Sequence, residues 1–171
     1  MKENIVLFTT KNLAVRRLKS EDADLIYKYS RQESHKELPN DIFDSVEDAR
    51  RRMDNAISNY RIEHLPLFFA VVYKPENTVI GVLSYKRMAD YNIQINVSIT
   101  EDYQNRGLGT ELVKSSADFA KDHFGIDTVY ACTRSINAPA RSALEKAGFM
   151  LVSEEEQNWF GTMQPICKYE I

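Results

Sequence analysis

Two stretches of the 171-residue chain carry residue types whose spacing suits chemistry. The first is Gln104-Asn105-Arg106-Gly107-Leu108-Gly109-Thr110. Its two glycines stand one residue apart, where an alternating strand pattern gives way to a helical one. Glycine tolerates positive φ and lets a ligand come close to the backbone. The first N–H groups of a helix have no internal partner and lie at the positive end of its dipole. Such a turn can cradle a phosphate or pyrophosphate, and Arg106 adds a guanidinium suited to one. A tight strand-to-helix turn without any ligand uses the same residues. Neither G-x-x-x-x-G-K-[ST] nor a full G-x-G-x-x-G is present, so a P-loop is excluded and a Rossmann dinucleotide site is disfavoured.

The second stretch runs through residues 135–149, from Ser135 and Asn137 to Leu144-Glu145-Lys146-Ala147-Gly148-Phe149. Ala140, Ala143, Leu144 and Ala147 follow helical spacing, Asn137 caps the helix, and Pro139 sits in its first turn. Gly148 ends it.

Groups able to move a proton are scattered. Gln94, Asn96 and Ser98 form the polar face of one strand, which holds no base. Ser135, Tyr130, Tyr85 and Ser142 carry hydroxyls near the two stretches, and packing or capping accounts for them equally well. His35 and His64 lie outside both stretches, and His123 falls near a helix C-terminus, where a cation is favourable anyway. Acidic residues between 33 and 48, and the run Glu154-Glu155-Glu156, could draw in a cationic amine or simply be solvated surface.

Strands and helices must alternate to position these groups. Leu13–Leu18 reads as a first strand. Ser20 is expected to cap a helix reaching about Tyr29, residues 31–44 (with Pro39) a loop, and Ser45 to cap a second helix in a capping-box pattern with Asp48. Residues 67–73 and 79–85 read as a hairpin around Pro75-Glu76-Asn77. Ile93, Ile95, Val97 and Ile99 alternate with polar residues and give the clearest strand. A helix from Gly107 to about His123, a strand over 128–133, the Asn137 helix, and closing strands over 149–152 and 166–171 follow. The resulting order is β-α-α-β-β-β-α-β-α-β-β, an α/β fold in one domain, 1–171.

Composition agrees. The net charge of −3 disfavours a strongly basic nucleic-acid binder. The two cysteines, Cys132 and Cys167, form no metal-ligand spacing, so no metal is expected. No apolar run suits a signal peptide or a membrane span, so a cytoplasmic protein with no membrane partner is expected.

Taken together, Gln104–Gly109 as [QR]-x-x-G-x-[GA] and Asn137–Phe149 as N-x-x-[AS]-x-x-x-L-E-K-x-G-F resemble the two signature motifs of the GNAT superfamily of acyl-CoA-dependent N-acyltransferases. Asn12-Leu13-Ala14-Val15-Arg16-Arg17-Leu18 followed by Asp22-Ala23 is similar to the opening of its ribosomal-protein N-terminal acetyltransferase (RimJ/RimL-like) branch. The resemblance implies a mixed, mostly antiparallel twisted sheet flanked by helices. It implies that the backbone of Val97, Ser98 and Ile99 takes the pantetheine arm of acetyl-CoA. The pyrophosphate would lie on the N–H groups of Gln104, Asn105, Arg106, Gly107, Leu108, Gly109 and Thr110, with Asn137 on the cofactor side.

Two positions depart from the family pattern. Leu144 stands where many members have a tyrosine that protonates the leaving thiolate, and Gln94 stands where the branch often has glutamate. Gln94 and Ser135 are the remaining catalytic candidates, and the general base is unassigned. The implied reaction is direct attack of a primary amine on acetyl-CoA in a ternary complex. The acceptor would be a protein N-terminus, a polyamine or an aminoglycoside-like molecule, selected by residues 28–65 and a 153–165 loop. Trp159-Phe160 would wall its pocket or cover a core edge. A non-catalytic acyl-CoA-binding module is the alternative, and a homodimer is compatible with the fold.

Overall fold

The computed structural model describes residues 5–37, 42–61 and 64–171. Pro39 lies outside them. The strands are β1 (Val6–Thr9), β2 (Leu13–Arg17), β3 (Leu67–Tyr73), β4 (Thr78–Arg87), β5 (Ile93–Ile99), β6 (Val129–Arg134), β7 (Met150–Trp159) and β8 (Thr162–Glu170). The helices are α1 (Ala23–Ser30), α2 (Val46–Asn59), α3 (Leu108–Phe124) and α4 (Ala138–Lys146), with 3-10 turns at Ser20–Asp22, Glu33–Glu37 and Glu101–Tyr103. Strand neighbours follow the order β1-β2-β3-β4-β5-β6-β8-β7. The β5–β6 pair is parallel, whereas β1–β2, β2–β3, β6–β8 and β7–β8 are antiparallel. This is the mixed α/β sheet expected.

The chain forms two compact units. One comprises the residues up to Ser84 together with Val97–Gln104; the other comprises Tyr85–Asn96 and Asn105–Ile171. In the first, Ala23 and Ile26 of α1 and Ala49 and Met53 of α2 pack with Ala70 and Val72 of β3. Ala49 and Met53 come from the helical stripe visible in the sequence, and burying a side chain of Met or Ile size contributes about 1.5–3 kcal/mol. The buried Arg16 and Asp22 make a two-bond ion pair at 2.7 and 2.8 Å. In the second unit Tyr85 is fully buried, its hydroxyl donates to the Ser116 carbonyl at 3.1 Å, and its ring meets Phe119 and Phe124.

Three expectations need correction. A strand precedes Leu13: β1 pairs with β2 from Val6–Arg16 to Thr9–Ala14, closed by a turn in which the Leu13 N–H donates to Thr10 Oγ1 at 2.9 Å. Ser20 caps no helix. Its hydroxyl donates to Asp54 at 2.6 Å, and Asp22 instead accepts from the Lys19 N–H at 2.9 Å. Residues 153–165 are not a loop but most of the β7–β8 hairpin. Its tip is Phe160-Gly161, both with positive φ (51° and 90°), the geometry a two-residue hairpin turn needs. Ser45 does cap α2, accepting from the Asp48 N–H at 3.0 Å, and Gly148 ends α4 with φ 97°.

Candidate active site

β5 occupies the residues its alternation predicts, and it pairs with β6 at Ile93–Val129 and Gln94–Tyr130. Its far end is braced from two directions. The Thr100 N–H donates to the Ile80 carbonyl at 2.8 Å. The Gln32 side-chain oxygen accepts from Thr100 Oγ1 at 2.7 Å and from the Glu101 N–H at 3.0 Å. Glu101 in turn accepts from the Ser34 N–H at 2.8 Å.

The loop that follows has the geometry of an anion cradle. Gln104 folds its amide back to donate to the Ile99 carbonyl at 2.8 Å, so this glutamine holds the loop's entry. Asn105 and Gly107 both have positive φ (58° and 78°). Gly107 is the N-cap of α3 and no side chain caps that end; the first helical bond is Glu111 N–H to the Gly107 carbonyl at 3.1 Å. The N–H groups of Leu108, Gly109 and Thr110 therefore have no acceptor within the helix. A β-carbon on Gly107 would meet nothing within 4 Å, and one on Gly109 would make only an ordinary contact with Ala143, so packing demands neither glycine. Arg106 is exposed beside them.

Val97, Ser98 and Ile99 are half-buried. Asn137 caps α4, its Oδ1 accepting from the Ala140 N–H at 3.3 Å. Gln94 donates to Asn96 at 3.1 Å and lies 3.8 Å from Cys132 Sγ, a thiol whose pKa burial pushes up. Ser135 closes the end of β6 through its N–H to the Pro165 carbonyl at 2.8 Å. Leu144 is buried in the core. The Tyr130 hydroxyl is spent on Asp90 at 2.8 Å, and His123 stacks on Phe119 at 4.9 Å. Among the described residues no cluster of His, Cys, Asp or Glu could hold a metal ion.

A cavity of about 120 Å³ lies within the first unit. Leu18, Ile26, Phe43, Met53, Ala56 and Phe68 supply most of its wall, with Gly81, Val82 and Ser98 from β4 and β5. Among the described residues its polar lining is Tyr29, His35, Arg52 and Ser98, and none of them is a carboxylate. Tyr29 donates to the Val79 carbonyl at 2.7 Å, and Arg52 pairs with Asp48 at 3.0 Å while lying over the Phe43 ring.

His35 is only 6% exposed, and its Nδ1 is buried with no hydrogen-bond partner among the described residues. Burial pushes its pKa below the ordinary imidazole value, with the Glu101 charge partly offsetting. His35 stands outside both motif stretches of the sequence. Its place depends on contacts made by Gln32 and Ser34 about 67 residues ahead in the chain, which leave no local pattern.

Residues 12–150 match the family model described as an acetyltransferase (GNAT) domain. The chain belongs to the GNAT acetyltransferase family, enzymes whose acyl donor is acetyl-CoA. No curated protein matches the sequence. Among solved structures, a GNAT-family acetyltransferase from Bacillus anthracis is 18% identical, with a TM-score of 0.82 over 95% of this chain and 96% of that one. A ribosomal-protein alanine acetyltransferase from Vibrio fischeri is 20% identical, with a TM-score of 0.79 over 98% and 96%. The ribosomal alpha-N-protein acetyltransferase RimL, solved in complex with coenzyme A, is 14% identical, with a TM-score of 0.82 over 97% of each chain.

Proposed function

We propose that this chain transfers the acetyl group of acetyl-CoA to a primary amine by direct attack in a ternary complex, in the cytoplasm, with the α-amine of a peptide or small molecule as acceptor. The observation that carries the donor half is the uncapped N-terminus of α3, entered through two positive-φ residues. In this reading the loop N–H groups from Gln104 to Thr110 hold the pyrophosphate, with Arg106 adding a charge-assisted contact. The backbone of Val97, Ser98 and Ile99 pairs with the pantetheine arm as a strand would. Asn137 faces the cofactor while capping α4. Gln94 and Ser135 act in positioning only, since neither can accept a proton at neutral pH. Two free thiols suit a reducing compartment.

The acceptor follows from proton arithmetic and from the cavity. The attacking amine must be neutral. An α-amine titrates near 8, whereas a lysine amine near 10.4 is only about one part in a thousand neutral at pH 7.4, a deficit of about 4 kcal/mol. The described lining of the cavity is largely apolar, which favours an amine carrying an apolar or small side chain over a polyamine or aminoglycoside. RimL and the Vibrio fischeri protein are named for ribosomal-protein acceptors, which supports the peptide form.

Calorimetric titration with acetyl-CoA, followed by thiol release against peptide α-amines, spermidine and an aminoglycoside, tests this. Micromolar donor binding with peptide-dependent release is expected. Release with spermidine alone would overturn the acceptor reading, and no binding at millimolar acetyl-CoA would overturn the donor reading.

A further inference from the structure

We propose that His35 is the proton acceptor of this enzyme, taking the proton that the attacking amine loses, through its Nδ1. The proposal rests on the donor reading above, and it fills the role that Gln94 and Ser135 leave vacant.

Four observations meet at this residue. First, His35 lines the cavity shared with Ser98, the strand residue assigned to the pantetheine arm. Second, its Nδ1 is buried and has no hydrogen-bond partner among the described residues. An unpaired buried polar nitrogen costs about 1–3 kcal/mol. His35 is a lining residue of the cavity, and in the proposal the N–H of the bound amine supplies the partner that Nδ1 lacks among the described residues. Third, the backbone that carries the imidazole is held in place: the main-chain N–H of His35 donates to the Gln32 carbonyl at 3.1 Å, and the Gln32 side chain is bonded to Thr100 and Glu101. Fourth, burial keeps the ring neutral near physiological pH, which leaves a lone pair free.

The groups around the ring fit the role. Glu101 follows β5, Arg52 comes from α2 and Tyr29 from α1, while Glu33, Lys36 and Glu37 share its own turn. Arg52 is paired with Asp48, and Tyr29 with a backbone carbonyl. Among the described residues Glu101 is the one whose charge acts on His35, and its sign favours the imidazolium that forms. In the step, the amine nitrogen bonds to the thioester carbon and the C–S bond breaks. One N–H proton passes to Nδ1, the thiolate takes a proton from water, and the imidazolium gives its proton to solvent as the products leave the cavity. The N-acetyl amine and CoA thiol are the products.

The test uses the full chain with phenylalaninamide, an α-amine, as probe acceptor. His35→Asn keeps a hydrogen-bond acceptor near the Nδ1 position but cannot take a proton. Thiol release by His35→Asn is expected to fall about a hundredfold or more, with acetyl-CoA affinity unchanged. In the wild type, log kcat/KM should fall with slope one as the amine protonates, and with slope two below the imidazole's own pKa. His35→Asn should keep slope one throughout. Nitrogen NMR of histidine-labelled protein saturated with CoA supplies a readout independent of turnover. The His35 Nδ1 signal, assigned by its loss in His35→Asn, should report a bare lone pair and move when phenylalaninamide is added. A protonated Nδ1 in the neutral ring, an unmoved signal, or equal slopes would overturn the proposal while acetyl-CoA binding stands. A wild-type chain that binds no acetyl-CoA would overturn the donor reading and this proposal with it.

Discussion

Gly81 on β4 and Ser98 on β5 approach so closely that a β-carbon on residue 81 would overlap the Ser98 carbonyl oxygen and stand 3.0 Å from its carbonyl carbon. Glycine is required here by a neighbouring backbone, not by its own φ. The approach sets where Ser98 stands in the cavity wall. Gly81→Ala must push β5 aside, an overpacking cost of about 1–3 kcal/mol. We expect a lower melting temperature and weakened acetyl-CoA binding together. An unchanged melting temperature and Kd would mean that β5 absorbs the methyl group without consequence.

The glycine at 107 works differently. Apart from its own residue and its chain neighbours, no atom of the described residues lies within 4 Å of where its β-carbon would be, but its φ is 78°. Gly107→Ala should cost about 1–2 kcal/mol of backbone strain, leaving the chain folded. The added methyl group projects at the uncapped helix end, so acetyl-CoA affinity should fall at least tenfold. Gly107→Val adds β-branch strain and makes the two effects harder to separate. Circular dichroism beside calorimetry on the alanine variant decides; retained affinity would mean that the cradle lies elsewhere.

The Arg16–Asp22 pair is a stability element of the first unit, with both side chains nearly inaccessible. Asp22→Asn leaves the guanidinium without its counter-charge and removes an acceptor from the Lys19 N–H. Breaking a buried pair in this way costs about 3–5 kcal/mol. For a chain of this size that corresponds to a fall of roughly 10 °C in Tm, measurable by calorimetry. A shift of a degree or less would show that water reaches the pair.

Acid should expose His35 through stability as well as rate. Its folded pKa lies below the unfolded value of 6.5. Between those two values the unfolded chain binds more protons, so stability rises with pH through that window. The contribution is complete above the unfolded value and is lost as pH falls through 6.5 toward the folded one. Urea midpoints should therefore drop more on acidification in the wild type than in His35→Asn. Parallel pH profiles for the two would contradict a buried neutral imidazole.

Elements with strict local signals were readable from the chain. β5 spans the seven residues of its alternation, and α4 runs from its Asn137 cap to its glycine stop at 148. The anion-cradle loop was readable for the same reason, since glycine and a following helix are local facts. Where pairing with a distant strand decides, the reading failed. β1 is only four residues long, and its pairing with β2 defines it. The β7–β8 hairpin turns on Phe160 in the left-handed region, a residue outside the usual turn formers, and contains three consecutive glutamates of low strand propensity. His35 has no motif at all. It became a candidate only when Gln32 and Glu101 tied its turn to the end of β5.

The position of β7 at the end of the strand order gives Glu154, Glu155 and Glu156 another meaning. An end strand offers its backbone to any other chain able to extend the sheet, and this one is ten residues long with exposed Met150, Leu151 and Val152 at its start. Three adjacent carboxylates halfway along it repel a second β7 laid beside it. The acidic run therefore guards against fibre-like assembly, and replacing it with serine should be felt first as precipitation on concentration, before any loss of catalysis.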